Sequence, residues 1–314
     1  MRLARRLAAA LATAGVVVGV AGGPAAAPQG APVADPAARV LAGAIDIHVH
    51  SSPDSIERSV DALDAAVMAR ARGMRGIVLK NHYDPTAGLA YMVRRQVSGL
   101  EVFGGVDLNL SMGGINPAAV EHMAQVSGGH GRLVWMPTFD AENQVRYSKE
   151  TRPFVSVSRD GALLPAVQAV IAAIAKHGLV LATGHSSPAE GLLLVRDARR
   201  QGVSQIVVTH AMNAPVLMTV ADMQEAAKAG AFIEFVGGSL AGQDAAARMD
   251  RFAGAIRTIG PASCILSSDL GQKNNPLPAD GFAEFLLAMK ARGFSDADID
   301  RMAKQNPATL LGLR

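Results

Sequence analysis

Asp46-Ile47-His48-Val49-His50 is a short, mostly apolar run in which two histidines stand two residues apart. In an extended strand, side chains alternate sides, so both imidazoles project from the same face and are able to grip one ion. Outward from this stretch, the chain after Val40 repeats one pattern eight times: an apolar run of strand length bounded by polar or Gly/Pro residues, then a longer amphipathic stretch. The other seven runs are Gly76–Lys80, Val102–Asp107, Leu133–Pro137, Leu179–Thr183, Ile206–Thr209, Phe232–Phe235 and Cys264–Ser268. Strands this continuously apolar are what a parallel sheet covered by helices requires. Helical spacing runs over Ser59–Arg72, Pro117–Val126, Leu163–His177, Ala189–Gln201, Val220–Ala229, Ala245–Ile259 and Gly281–Lys290, several of these closing on a glycine such as Gly178. Eight strand-then-helix units predict an α/β fold, a (β/α)8 TIM barrel, which typically takes about 250 residues. A doubly wound open sheet would bring a Gly-rich phosphate loop after its first strand, and the sequence has none.

One unit is too long. Residues 140–160 are polar, with Tyr147, Lys149, Glu150 and Arg152 ahead of an alternating Phe154-Val155-Ser156-Val157 stretch. This predicts an insertion, read as a hairpin, between the fourth strand and its helix. Strand-to-helix loops of a barrel lie on its catalytic face, so the insertion is a candidate lid or substrate-contact loop, with a merely decorative loop as the alternative.

The 314 residues carry 30 Lys+Arg against 27 Asp+Glu, a formal net charge of +3. Arg2, Arg5 and Arg6 are the only charged residues before Asp35, so without them the count is 27 against 27. The basic excess is confined to the first six residues, and no basic stripe with interleaved aromatics follows, which argues against a nucleic-acid partner. Those arginines lead into a charge-free run, Leu7–Ala21, and a small-residue stretch, Gly22–Ala34. That order predicts a signal peptide and linker over residues 1–34, export to the periplasm or medium, and no membrane attachment after cleavage. An uncleaved anchor is the rival reading, but the run is short for a span, which needs roughly 20 residues. Residues 35–314 are then a single barrel domain. The lone cysteine, Cys264, lies in an apolar run and reads as a small core residue.

Of eight histidines, five fall at or just past a predicted strand end: His48 and His50 on strand one, His82 after strand two, His185 after strand five and His210 after strand six. Asp269 follows strand eight directly. In a barrel these positions converge on one mouth although they span more than two hundred residues. Imidazoles with a carboxylate suit a divalent metal, zinc first, with iron, manganese or nickel as alternatives, and a catalytic site keeps one position open. His122, His130 and His177 fall on helices or loops and read as surface or satisfied residues.

The Asp46–His50 strand, Thr183-Gly184-His185, Thr209-His210, Ser268-Asp269 and the closing Asn306-Pro-Ala-Thr-Leu-Leu-Gly312 resemble the amidohydrolase superfamily of metal-dependent hydrolases, over essentially all of the chain after residue 34. The resemblance implies His48, His50, His185 and Asp269 as ligands of one metal, with His210 binding a second or hydrogen-bonding the attacking water. Many members place a carboxylated lysine or a glutamate on strand four, where this chain has Trp135-Met136-Pro137-Thr138-Phe139-Asp140. Lys80, at the end of strand two, has three readings: a carboxylated bridge from another strand, an electrophile for a substrate anion, or a lysine paired with Asp84 or Asp107. Metal number, one ion or two, stays open with it, and His82 is either a ligand or a substrate contact.

The expected chemistry is hydrolysis of an amide, lactone or other ester of a small molecule, with Asp269 as the base and His210 beside it. Lys80, Asn81, His82, Tyr83 and Asn213 are the candidate substrate contacts, and Glu234 is either a partner of a ligand or part of the barrel packing. Competing readings are a phosphoesterase of the polymerase-and-histidinol-phosphatase type, a metal-dependent decarboxylase, and an exported barrel that binds a metal or ligand without turnover. The phosphoesterase expects a further Asp-x-His pair near the C-terminus, which Asp269-Leu270-Gly271 does not supply. Self-association into homo-oligomers is left open.

Overall fold

The computed structural model describes residues 35–238, 240 and 243–314. Residues 1–34, expected to be a signal peptide and linker, lie outside the described residues. Eight strands form one parallel sheet in sequential order: β1 Ile45–Val49, β2 Gly76–Leu79, β3 Glu101–Asp107, β4 Gly131–Trp135, β5 Val180–Ala182, β6 Gln205–Val208, β7 Phe232–Val236 and β8 Cys264–Ser267. The last strand returns to the first at the C-terminal edge, where His50 N–H donates to Leu270 O (2.8 Å) and Asp269 N–H donates to His48 O (3.0 Å). A nearly closed barrel results, as the alternation of strand and helix predicts.

Each strand is followed by a helix on the outside: Ala62–Ala71, Ala87–Gln96, Pro117–Ala124, Pro165–His177, Pro188–Arg200, Val220–Lys228, Ala245–Ile259 and Pro278–Lys290. Their boundaries are chemical. Ser187 and Thr219 each close a capping box, with Glu190 and Asp222 respectively, and Gly178 ends the fourth of these helices in the left-handed region at φ +59°. The helix Ala87–Gln96 is the one that sequence patterning does not assign, for a local reason: Gly88 weakens its first turn and no glycine follows Gln96 directly. Thr86 stands at its N-cap but spends its hydroxyl elsewhere, donating to Leu79 O (2.7 Å) and accepting from Gly105 N–H (2.9 Å).

Apolar side chains separate into two cores. The larger lies between sheet and helices. The smaller fills the barrel and comprises Ile45, Ile47, Val78, Phe103, Leu133, Trp135, Val180, Ala182, Val207 and Ile265, with Ala308, Leu310 and Leu311 from the C-terminal helix. The Asn306–Gly312 segment therefore contributes to the barrel interior, and Asn306 donates to Pro261 O (2.9 Å) and Cys264 O (2.7 Å), at the start of β8. On β1 the pairing register with β2 shifts between Asp46 and Val49. Ile45, ahead of this irregularity, and Ile47, within it, pack in the interior, while His48 within it and His50 beyond it reach the mouth, the re-aiming that a bulge provides.

The insertion differs from the predicted hairpin. Residues Glu142–Tyr147 form a short helix, and the only hairpin of this region pairs Ser158–Arg159 with Ala162–Leu163, beyond the Phe154–Val157 stretch. Val155 instead bridges back to Ala141, its N–H donating to Asp140 O (2.7 Å) and its carbonyl accepting from Glu142 N–H (3.0 Å). The alternating stretch thus pairs with the chain just after β4 and not with itself. No helix among the described residues is long and apolar enough to cross a membrane.

Cys264 is fully buried, and burial pushes its thiol up to about 12. In native protein at pH 8 a thiol reagent should leave it unmodified for hours, with one equivalent reacting once the chain is unfolded; rapid labelling of the native protein would place the thiol on the surface.

Candidate metal centre

The five histidines of the strand ends form a closed circuit of rings. Successive centroids lie 4.9 Å (His82–His50), 5.3 Å (His50–His48), 6.0 Å (His48–His210), 4.8 Å (His210–His185) and 6.2 Å (His185–His82) apart. All five are buried. Asp269 sits against this circuit with its Oδ1 at 3.3 Å from His48 Nε2 and 3.1 Å from His50 Nε2, and its side chain keeps 25% of its surface exposed. His48, His50 and Asp269 offer ligand atoms that lie within 4.8 Å of one another. His122, His130 and His177 stand apart from the circuit, His177 pairing with Glu121.

Counting protons shows what this arrangement is built for. His48 Nδ1 lies 3.2 Å from Glu234 Oε1, and Glu234 Oε2 accepts from the His210 N–H (2.9 Å). His82 Nδ1 lies 2.9 Å from Thr138 Oγ1, whose own proton goes to Asp107 Oδ2 (3.0 Å), so the threonine oxygen accepts from the ring. His185 Nδ1 lies 2.8 Å from Gln144 Oε1. In the neutral forms of His48 and His82, then, Nδ1 carries the proton and Nε2 is left as a lone pair. For His48 that lone pair faces a carboxylate oxygen at 3.3 Å. Two electron pairs confront each other there unless a cation or an extra proton lies between them. His50 Nδ1 and His210 Nδ1 are buried with no hydrogen-bond partner. A divalent ion fits this donor set: it replaces the repulsion between lone pairs with ligation, and the Nδ1–H bond to a carboxylate or carbonyl is how ligating histidines are oriented.

The electrostatics agree for four of the five rings. Burial holds His185, His82 and His210 below the ordinary histidine value and takes His50 down to about 3, so these rings are neutral. For His48, burial is outweighed by the carboxylates of Asp269 and Glu234, which raise it. Asp269 answers in kind: burial would raise it, but the charge of His48 and the hydrogen bond from His50 hold it well below the usual carboxylate range. Asp46 lies beneath them, its Oδ1 accepting from His48 N–H (3.1 Å) and Ser268 N–H (3.0 Å), and burial lifts it to about 6. Two of the site residues have left-handed backbones, His210 at φ +27° and Asp269 at φ +51°. Such conformations cost about 1–3 kcal/mol each in non-glycine residues and are held here by the N–H bonds to Glu234 and to His48 O.

Lys80 is wholly buried, with Nζ 3.2 Å from Asp107 Oδ2, 3.5 Å from His82 Nδ1 and 5.5 Å from the centre of the Trp135 ring, while Asp84 is exposed. Of the two carboxylates considered, Asp107 and not Asp84 is the neighbour of this ammonium. Trp135, the last residue of β4, packs in the barrel and supplies no ligand atom at the mouth. Asn81 donates to Pro53 O (2.8 Å) and leaves its buried Oδ1 without a partner. Asn213 is half-buried, its backbone N–H on His210 O (2.9 Å) and its Oδ1 unpartnered. Tyr83 stands on the rim, where it walls a recess of about 480 Å³ with Leu110, Phe139, Asp140, Gln144 and Arg152. Phe139 stacks on His82 at 3.7 Å between centroids, joining recess and circuit.

Sequence reading does not assign Thr138, Phe139 or Gln144 to the site, nor Asn109, which donates to Thr138 Oγ1 (2.7 Å), nor Asn143, which donates to His185 O (3.0 Å). Thr138 and Phe139 lie just past β4 and obey the same strand-end rule as the histidines. Gln144 lies on the inserted helix, where no periodicity marks it. Because breaking a buried ion pair leaves an uncompensated charge, Asp107→Asn should destabilise the fold by about 3–5 kcal/mol in urea unfolding, and Lys80→Met with Asp107→Leu should recover much of the loss. An unchanged midpoint for Asp107→Asn would mean that Lys80 is not held there as an ammonium.

Solved structures carry the same barrel. An amidohydrolase from Pseudomonas aeruginosa matches with a TM-score of 0.62 at 11% identity, covering 88% of this chain and 98% of that one. An organophosphorus hydrolase from Deinococcus radiodurans matches with a TM-score of 0.57 at 19% identity, over 88% and 94%. A third, from work on engineering organophosphate hydrolysis from a weak promiscuous lactonase template, gives 0.56 at 18%, over 88% and 97%. No curated protein matches the sequence. A family profile matches residues 43–234, a span that holds all five histidines of the circuit and Glu234 but not Asp269. The chain thus shares the (β/α)8 barrel fold of these hydrolases and belongs to a family of unknown function, DUF6282.

Proposed function

We propose that this protein is a metal-dependent hydrolase that uses an activated water to cleave an amide, lactone or ester bond of a small molecule. The observation that carries the reading is the 3.3 Å approach of His48 Nε2 to Asp269 Oδ1, inside a buried circuit of imidazoles. The hydrolase names of the structural neighbours support the class, and the lactonase template among them supports a lactone or ester in the substrate range.

His48, His50 and Asp269 would hold one divalent ion, with His185 and His210 completing its shell or holding a second; zinc is the expected metal. Such an ion, when bound, supplies Lewis acidity that brings a water's pKa to ~7 and polarises the bond under attack. The chain's own groups do the rest. Asp269 is the ionised, partly exposed carboxylate of the site and takes the proton of the attacking water, then returns it to the leaving group. Glu234 fixes the His48 ring through Nδ1 and the His210 backbone through its N–H, so both rings keep their direction through the cycle. Tyr83 and Phe139 offer aromatic faces to the remainder of the substrate in the recess. Lys80, paired and fully buried, sets the field behind His82 without reaching substrate.

Metal analysis of purified protein should find at least one equivalent of a divalent ion, and His48→Ala with His50→Ala should lose it. Asp269→Asn should fold and lose lactone or aryl-ester turnover by 10³-fold or more, on the order expected when a positioned base is removed. Equal, negligible metal in both proteins, or full turnover in the aspartate variant, would sink the reading. We also propose that residues 1–34 direct export. Protein recovered from the periplasm or medium should then begin between residues 22 and 35 by N-terminal sequencing, whereas an intact Met1 on exported protein would favour an uncleaved anchor.

A further inference from the structure

The insertion after β4 touches the metal centre at one residue. His185 is held by its main chain and by its ring. Its N–H donates to Pro137 O (2.9 Å), and its carbonyl accepts from Asn143 Nδ2 (3.0 Å), which also donates to Pro215 O (3.0 Å). Its ring Nδ1 meets Gln144 Oε1 at 2.8 Å, and Gln144 Nε2 in turn donates to Ser148 Oγ (2.9 Å), one helical turn on. Asn143 and Gln144 belong to the inserted helix Glu142–Tyr147, whose end is tied to the chain after β4 through the Ala141–Val155 bridge. Arg152, from the same insertion, pairs with Asp140 and reaches Phe139 O, fixing the segment that stacks on His82.

A neutral imidazole has one proton, and the acceptor at one nitrogen decides which nitrogen keeps a lone pair. For His48 and His82 those acceptors, Glu234 and Thr138, belong to β7 or directly follow β4. For His185 the acceptor is an amide oxygen from the insertion.

We infer that Gln144 is a positioning residue that fixes His185 as the Nδ1–H tautomer, so that the inserted helix, and not the barrel framework, turns the Nε2 lone pair of this ring toward the metal centre. The role of His185 as a ligand rests on the hydrolase reading above; the tautomer does not. The insertion is then a structural part of the centre. Its removal or displacement frees the ring, and affinity for the ion falls even though no ligand is touched. Losing such an orienting partner typically weakens metal binding 10–100-fold.

Two measurements test this on the full barrel. In metal-free protein, long-range ¹H–¹⁵N imidazole spectra should show His185 as a single Nδ1–H tautomer. Gln144→Ala, at a half-buried position, should convert it to a mixture, and Gln144→Glu, which keeps an acceptor oxygen, should restore it. Zinc competition titrations should show a 10–100-fold weaker Kd for Gln144→Ala and a return toward the parent value for Gln144→Glu. An Nε2–H tautomer in the parent protein, or an unchanged tautomer in Gln144→Ala, overturns the inference whatever the zinc affinity does. If the parent protein takes up no zinc while its His185 tautomer still answers to Gln144, the hydrolase reading fails and the role of Gln144 stands.

Discussion

Five imidazoles, Asp46, Asp107, Glu234 and Lys80 are all removed from water at one end of a barrel otherwise filled with Ile, Val, Leu, Phe and Trp. An unpaired charge in such a place costs several kcal/mol, so each group must find a counterpart, and the geometry of the mouth follows from that demand. Lys80 takes Asp107, Asp107 takes Thr138, Thr138 takes His82, and Glu234 spans His48 and the backbone of His210. Where the pairing stops, at His48 Nε2 against Asp269 and at the free Nδ1 atoms of His50 and His210, a ligand is called for.

Much of this was legible in the sequence. A parallel barrel obeys two rules of wide reach, apolar strands and functional groups at their C-terminal ends, so reading where His48, His50, His82, His185, His210 and Asp269 fall locates the mouth without any coordinates. The C-terminal Asn306–Gly312 stretch is legible only as a resemblance, and the structure supplies its physical meaning, apolar residues added to the barrel interior. The partners of the histidines are less visible. Glu234 lies mid-strand, where a carboxylate reads equally as packing. Thr138 and Gln144 are single polar residues in irregular segments, and hydrogen-bond roles there depend on three-dimensional approach with no spacing to announce it. The helix Ala87–Gln96 escapes for a different reason, since Gly88 weakens its first turn and no glycine directly marks its end.

The backbone at His210 and Asp269 is locally strained. Both residues hold left-handed conformations that non-glycine side chains avoid, each fixed by a hydrogen bond to another strand of the same site. The fold thus gives up some stability at the two positions where a side chain must leave the strand direction and aim at the centre. This is the usual trade between stability and function in a preorganised site.

The seam between β1 and β8 has a further consequence, for the order in which the molecule is made. The two hydrogen bonds that close the barrel, from His50 to Leu270 and from Asp269 to His48, lie at the residues that would hold the ion, and His50 and Asp269 are 219 positions apart. A growing chain presents its two histidines among the first strands to emerge and their carboxylate among the last. Until β8 docks, the two histidines have Glu234 and His82 beside them but not the carboxylate of Asp269, so the site stays incomplete until the last strand closes the barrel.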